Sequence, residues 1–112
     1  MLDRIASRLE QYMDLVSARQ KLVASNIANA DTPGYKTKDI DFQTEFQSQI
    51  EGAQARPVEV AGLKTKNDGN NVSLDREARL LAENALRFTV ASNLMRSEIR
   101  AVKSAIQGGT NG

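Results

Sequence analysis

The chain has 112 residues, 15 Lys and Arg against 14 Asp and Glu, a net charge of +1, and only 4% aromatic residues. It contains no cysteine, histidine or tryptophan, which removes disulfides and most metal, redox and nucleophilic chemistry. The balanced charge argues against nucleic acid or an anionic membrane as the main partner, since both call for a concentrated basic patch. A chain this short holds one small domain at most and hides proportionally little surface by itself. Its 40% hydrophobic content, mostly Leu, Ile, Val and Ala, suits helices packed on other helices, some of them from other chains.

In chain order, Leu2, Ile5, Leu9, Tyr12, Val16 and Val23 recur at steps of three and four, with Arg19 where a further apolar residue is expected. Met13, Leu15, Leu22 and Ile27 widen the stripe. The pattern predicts an amphipathic helix over about residues 3–30, roughly 40 Å long, in which Arg19 either snorkels or marks a polar register point. The opening Met1-Leu2-Asp3-Arg4 has neither a basic n-region nor an apolar h-region, so no Sec signal peptide is expected. No apolar run is long enough to cross a bilayer, and composition alone reads as cytoplasmic.

The helix closes on Ala24-Ser25-Asn26-Ile27-Ala28-Asn29-Ala30-Asp31, where small residues admit a close backbone and Asn26, Asn29 and Asp31 offer side chains to helix-end groups or to a neighbour. Asn26 and Asn29, three apart, share a face suited to hydrogen bonding across a tightly packed helix pair, with Glu83 and Asn84 as possible counterparts. Thr32-Pro33-Gly34-Tyr35 follows as a turn in which Pro33 fixes φ and Gly34 supplies φ > 0.

Residues 37–72 lose the periodicity. Gln43 to Ile50 fits a short helix with Phe42, Phe46 and Ile50 at helical spacing, and Val58 and Val60 fit a short strand or extended arm. Gly52, Pro57, Gly62 and the Asp68-Gly69-Asn70-Asn71 turn signal complete an irregular linker, expected to be mobile alone and ordered by neighbours. Asp39, Asp41 and Glu45 lack the glycine and later oxygen ligands of a calcium loop; a solvated acidic turn beside Lys36 and Lys38 is the plainer reading, and no metal or cofactor is expected. Tyr35 and Phe42 suit pinning the turn to its own helix better than stacking on bases.

The carboxy-terminal third carries Leu81, Ala85, Phe88, Ser92, Met95, Ile99, Val102 and Ile106 at strict four-three spacing, flanked by Leu80, Ala91 and Leu94. This predicts a coiled-coil helix capped by Ser73 or Asp75 and stopped by Gly108-Gly109. The fold expected is mostly α: two long terminal helices in an antiparallel coiled-coil hairpin joined by an irregular, partly extended arm. Its segments are residues 1–31, the arm 32–72 and the helix 73–112.

The asparagine-rich helix end, the Tyr35-Lys36 to Asp39-Ile40-Asp41-Phe42 continuation, the Leu81-Ala82-Glu83-Asn84-Ala85-Leu86-Arg87-Phe88 block and the opening Met1-Leu2-Asp3-Arg4-Ile5 together resemble the bacterial flagellar axial proteins. Within them they are most similar to the proximal rod family of the basal body, the FlgB family. The resemblance implies a structural, non-enzymatic subunit of the torque-transmitting rod, exported without a cleaved signal by the flagellar type III apparatus. Its implied partners are other rod and basal-body proteins and further copies of itself, with no nucleic acid and no insertion into a membrane. Subunit contacts are expected at Asn26, Asn29, Asp31, Pro33, Gly34, Tyr35, Asp41, Phe42, Glu83, Asn84, Phe88, Met95 and Ile99. A soluble cytoplasmic coiled-coil adaptor or chaperone-like binding protein is the competing reading.

Overall fold

The computed structural model describes the backbone of residues 2–50 and 55–111 and the side chains of 4–48 and 55–108. The Leu2 and Ile50 side chains and Gly52, named above, lie outside the described residues. The elements are α1 (Leu2–Ala28), β1 (Lys38–Asp39), α2 (Phe42–Ile50), β2 (Val58–Glu59) and α3 (Leu74–Asn111). α1 and α3 pack antiparallel in a body 71 × 26 × 17 Å, as pairs at Asn26–Glu77, Gln20–Asn84 and Tyr12–Arg87 show. Arms β1 and β2 pair antiparallel, Lys38 opposite Glu59 and Asp39 opposite Val58.

Local chemistry sets these boundaries. Ser73 caps α3, its Oγ accepting from the Arg76 amide at 3.2 Å, and Asp75 and Glu77 lie in the first turn where the helix dipole favours acids. Asp41 begins α2, its carbonyl accepting from the Glu45 amide at 2.8 Å. Gly34 and Gly69 take φ of 76° and 86°, and a Cβ on Gly69 would stand 3.3 Å from the Gly34 Cα, so two turns touch backbone to backbone. Gly108-Gly109 does not stop α3, which continues to Asn111. A glycine ends a helix by taking positive φ, and among the described residues only Gly34, Gly62 and Gly69 do so.

The end of α1 is closed by the arm. The turn at 66–70 lays Lys66 Nζ 3.1 Å from the Ala30 carbonyl and the Asn70 amide 2.8 Å from the carbonyls of both Asn29 and Thr32. Lys66 places a cation where the helix dipole favours one, and Asn70 adds a second donor to carbonyls that already accept from the Thr32 and Tyr35 amides. Asn70 is fully buried, and its own Oδ1 accepts from the Val72 amide at 2.9 Å. Asn71 Oδ1 accepts from the Thr37 amide at 2.6 Å.

Below that cap lies a buried polar joint. Asn26, 1% exposed, mimics a strand: its Nδ2 donates to the Lys38 carbonyl at 2.8 Å and its Oδ1 accepts from the Lys38 amide at 3.1 Å. The same Oδ1 accepts from the Tyr35 hydroxyl at 3.0 Å, and Nδ2 also donates to Glu77 Oε1 at 3.0 Å, so one amide ties α1 to the turn, β1 and α3. Asp39 is no solvated acidic turn. Its carboxylate takes Arg19 through both oxygens, at 2.9 and 3.0 Å, and Arg76 at 2.6 Å. Pairing with β2 turns Asp39 inward, and Arg19, neither snorkelling nor solvated, becomes the register point. Burial would push the Asp39 carboxyl up, but the hydrogen bonds from Arg19, the Ile40 amide and Arg76 hold it below the usual carboxylate range. Glu77, with no exposed surface, is raised because burial outweighs the help of Arg76 and Asn26.

An apolar strut completes the packing. Leu15, Val16 and Val23 of α1 are fully buried, and Phe42 and Phe46 of α2 meet Tyr12 edge-on, with ring centroids 5.3 and 6.1 Å apart. Phe42 thereby pins the turn region to its own helix, as Tyr35 does through Asn26.

Asp39→Asn should cost about 3 kcal/mol in urea melts at neutral pH, because the largely buried Arg19 guanidinium loses the acid it pairs with and Arg76 is left with Glu77 alone. The Asp39 contribution is present above its unfolded value and is lost as pH falls through its lower folded value, so the mutant should lose less than the parent below about pH 4. Glu77 acts with the opposite sign: its folded value is raised, so protonation relieves the fold as pH drops, and Glu77→Gln should remove that relief. Separately, Asn70→Ala should cost about 2 kcal/mol in the same melts by removing the two amide contacts that tie the 66–70 turn to the Asn29 and Thr32 carbonyls and the acceptor of the Val72 amide.

Candidate functional site

α3 is apolar on more of its circumference than α1 covers. Glu77, Leu80, Asn84, Arg87 and Ala91 face α1, with Leu80, Asn84 and Ala91 buried. The four-three seam read from the sequence is offset from that face by one residue, about 100° around the helix. Along it Leu81, Phe88, Ile99 and Ile106 are 40–63% exposed, and Ala85 is exposed too. Through its first half the seam is therefore largely a free stripe, while Ser92, Met95 and Val102 farther along are half-buried. The face turned to α1 is chosen instead by the polar joint and by the fit of Ala91 and Leu80. On the opposite flank Leu86, Val90 and Leu94 form a second exposed apolar row, 49–65% exposed.

Each row borders a groove against α1. The second row, with Leu9, Tyr12, Arg87 and Ala91, lines a cleft of about 370 Å³. On the seam side, Val16, Ser17, Gln20, Asn84, Ala85, Phe88 and Thr89 line one of about 350 Å³, and Glu10, Met13, Asp14, Ser17, Phe88 and Met95 line its neighbour. Between the rows Arg87 is held by Glu83 at 2.7 Å, by the Tyr12 hydroxyl at 3.3 Å and over the Phe42 ring at 5.2 Å. The Glu83 hydrogen bond raises the Arg87 affinity for its proton.

The residues singled out from the sequence separate into two groups. Asn26 and Asn84 are buried and spend their amides inside the chain, Asn26 on Glu77 and Asn84 on Gln20 at 3.1 Å, instead of facing each other. Asn29 folds back on the Ser25 carbonyl at 2.8 Å, and Asp41 and Phe42 serve α2. Asp31, Pro33 and Gly34 are exposed at the turn with Tyr35 half-buried beneath them, and Glu83, Phe88 and Ile99 are exposed along α3 with Met95 half-buried. Sequence reasoning missed Asn70, Asn71 and Lys66 as caps and Arg76–Glu77 as part of the joint. The adjacent asparagines after Asp68-Gly69 were the available signal, since an Asn-Asn pair at a turn has amides to spend on nearby carbonyls. Among the described residues no group of acids could hold a metal ion, and no helix is long and apolar enough to cross a membrane.

The family model described as "Flagella basal body rod protein" matches residues 13–36, the stretch that runs from the middle of α1 through Asn26 to the Pro-Gly turn. Over nearly the full length, the chain is 30% identical to the flagellar basal body rod protein FlgB of Salmonella typhimurium, covering 97% of this chain and 99% of that protein. The Escherichia coli FlgB matches to the same extent, and that of Borrelia hermsii is 28% identical over 87% of this chain and 91% of its own. The Asn26 joint, the Pro-Gly turn and the long helical hairpin thus sit in a chain that aligns end to end with these proteins, and it belongs to the FlgB family of flagellar basal-body rod proteins, as a structural component of the rod.

Proposed function

We propose that the chain works as a mechanical subunit of the proximal rod, joining other axial proteins and its own copies through the exposed faces of α3. The observation that carries this reading is the unmatched apolar surface of α3: one face is used inside the chain and two more are left open. Exposed Ala24, Ser25 and Ala28 on α1 add a strip where a neighbouring backbone can approach closely. Contacts of this kind, made between different patches on successive copies, continue into a filament instead of closing into a ring. Helices laid along a shaft resist twisting through their side-chain packing, which is what transmitting torque demands.

The interface residues expected on this reading are the exposed ones, Asp31, Pro33, Gly34, Glu83, Phe88 and Ile99, with Met95 and Tyr35 at the edge. Asn26, Asn29, Asp41, Phe42 and Asn84 act behind them by holding the turn and helices in place. The reading also takes the chain to the periplasm-spanning rod through the flagellar type III export apparatus. A narrow hairpin without cysteine has no cross-link to undo before threading through a channel.

Ile99→Lys with Ile106→Lys tests the assembly role, because both sites are exposed and line neither groove, and the hairpin should keep its stability within about 0.5 kcal/mol each. Motility and recovery of the chain in purified basal bodies should both collapse. A strain carrying the double variant, or lacking the chain, that still builds hooks and swims would overturn the reading.

A further inference from the structure

The turn that closes the end of α1 contains a peptide link of a reactive kind. Asp68 is the only aspartate of the chain that is followed by glycine, and it is exposed. Glycine has no Cβ to shield its amide nitrogen or to limit its rotation, so that nitrogen can reach the side-chain carboxyl of the residue before it. In that step the Gly69 nitrogen bonds to the Asp68 carboxyl carbon, and the carboxyl hydroxyl leaves with the amide hydrogen as one water. The product is a five-membered succinimide. Water then adds to one of its two carbonyl carbons and breaks the C–N bond there. When the original main-chain bond is the one broken, the backbone runs through the Asp68 β-carbon as isoaspartate. One water is lost and one is taken up, and nothing is oxidised or reduced.

The folded turn opposes this step at three points. The Gly69 amide hydrogen is spent on the Lys66 carbonyl, 2.9 Å away. The Asp68 carboxylate accepts from the Asn70 amide at 3.0 Å. The peptide between them is kept from swinging, because the Asp68 carbonyl accepts from the Gly34 amide at 2.8 Å and Gly69 lies against the Gly34 backbone. Asn70, with no exposed surface, fastens the whole turn to the Asn29 and Thr32 carbonyls. The same packing rejects the isoaspartyl form. Its main chain is one atom longer where two turns touch, and the oxygen that met the Gly34 amide becomes part of a free carboxylate.

We propose that Asp68–Gly69 is a modification site of this chain, which turns to isoaspartate when the 66–70 turn is off the end of α1 and then keeps the arm from seating again. The reaction needs only water, so the site records time spent with the turn open, whichever partners the chain meets.

The full-length chain, folded or unfolded in guanidinium chloride, is incubated in heavy-oxygen water at neutral pH. Trypsin then releases residues 67–76 as one peptide, in which each succinimide opening leaves one heavy oxygen and electron-transfer fragmentation tells isoaspartate from aspartate. Labelling should be at least roughly tenfold slower in the folded chain, by a factor set by how seldom the turn opens. Asn70→Ala should raise the folded rate roughly tenfold, and Lys66→Met, a milder release, should act in the same direction. Val16→Ala weakens the apolar packing away from the turn and should leave the folded rate near the parent's. Asp68→Glu, whose longer side chain closes the ring far less readily, should abolish the label. Circular dichroism checks that each variant is folded. Once refolded, the isoaspartyl chain should exchange its Gly34 amide hydrogen at least roughly tenfold faster by NMR than the aspartyl chain. No isoaspartate from the unfolded chain, equal rates folded and unfolded, or Val16→Ala matching Asn70→Ala would overturn the proposal. So would an isoaspartyl chain whose Gly34 amide stays protected.

Discussion

The fold depends on one buried carboxylate. Asp39 sits on a two-residue strand too short to hold itself in place, yet it draws Arg19 from α1 and Arg76 from α3 to the same point. With Asn26 bridging Lys38 and Glu77 next to it, the crossing of the two long helices is set by hydrogen-bond geometry instead of by the greasy fit of their side chains. Burying such groups seldom adds stability beyond what apolar residues would give, but a mismatched register would strand several charges at once. The joint therefore chooses among registers that a uniform Leu and Ala seam would leave nearly equal. That choice decides which faces of α3 remain open.

This explains how much of the structure was legible beforehand. The two long helices, their antiparallel hairpin, the short helix at α2 and the positive φ of Gly34 all follow from local signals such as spacing, capping and turn chemistry. The orientation of α3 did not. A four-three repeat shows that a helix has a partner on that face without saying whose it is, and here Leu81, Ala85, Phe88, Ile99 and Ile106 of the repeat are exposed while Ser92, Met95 and Val102 are half-buried. The intramolecular face is marked by Glu77, Asn84 and Arg87, polar residues that a search for apolar periodicity passes over. Asp39 was misplaced for the same reason: next to Lys36 and Lys38 in sequence it looks solvated, and only the distant Arg19 and Arg76 bring it inside.

The arm shows a related limit. Its residues carry few apolar anchors, so the sequence reads as a loose linker. The described parts of it are instead attached through backbone and amide contacts: Lys66 and Asn70 on the end of α1, Asn71 on Thr37, and the β1–β2 pair. Such contacts leave little periodic trace, since any turn with asparagines could make them. The site inherited from this framework is a surface rather than a pocket with reactive groups, which accords with a structural role in a family of rod proteins.

The open rows on α3 also bear on the life of a copy before it reaches its destination. A newly made chain carries sticky ground on two flanks, and encounter between unplaced copies rises with their number. The cell thus faces a supply problem: stockpiling the subunit invites premature clumping, while scarcity stalls construction. Synthesis matched to delivery, or a temporary cover for those flanks, is the condition under which such a surface stays useful.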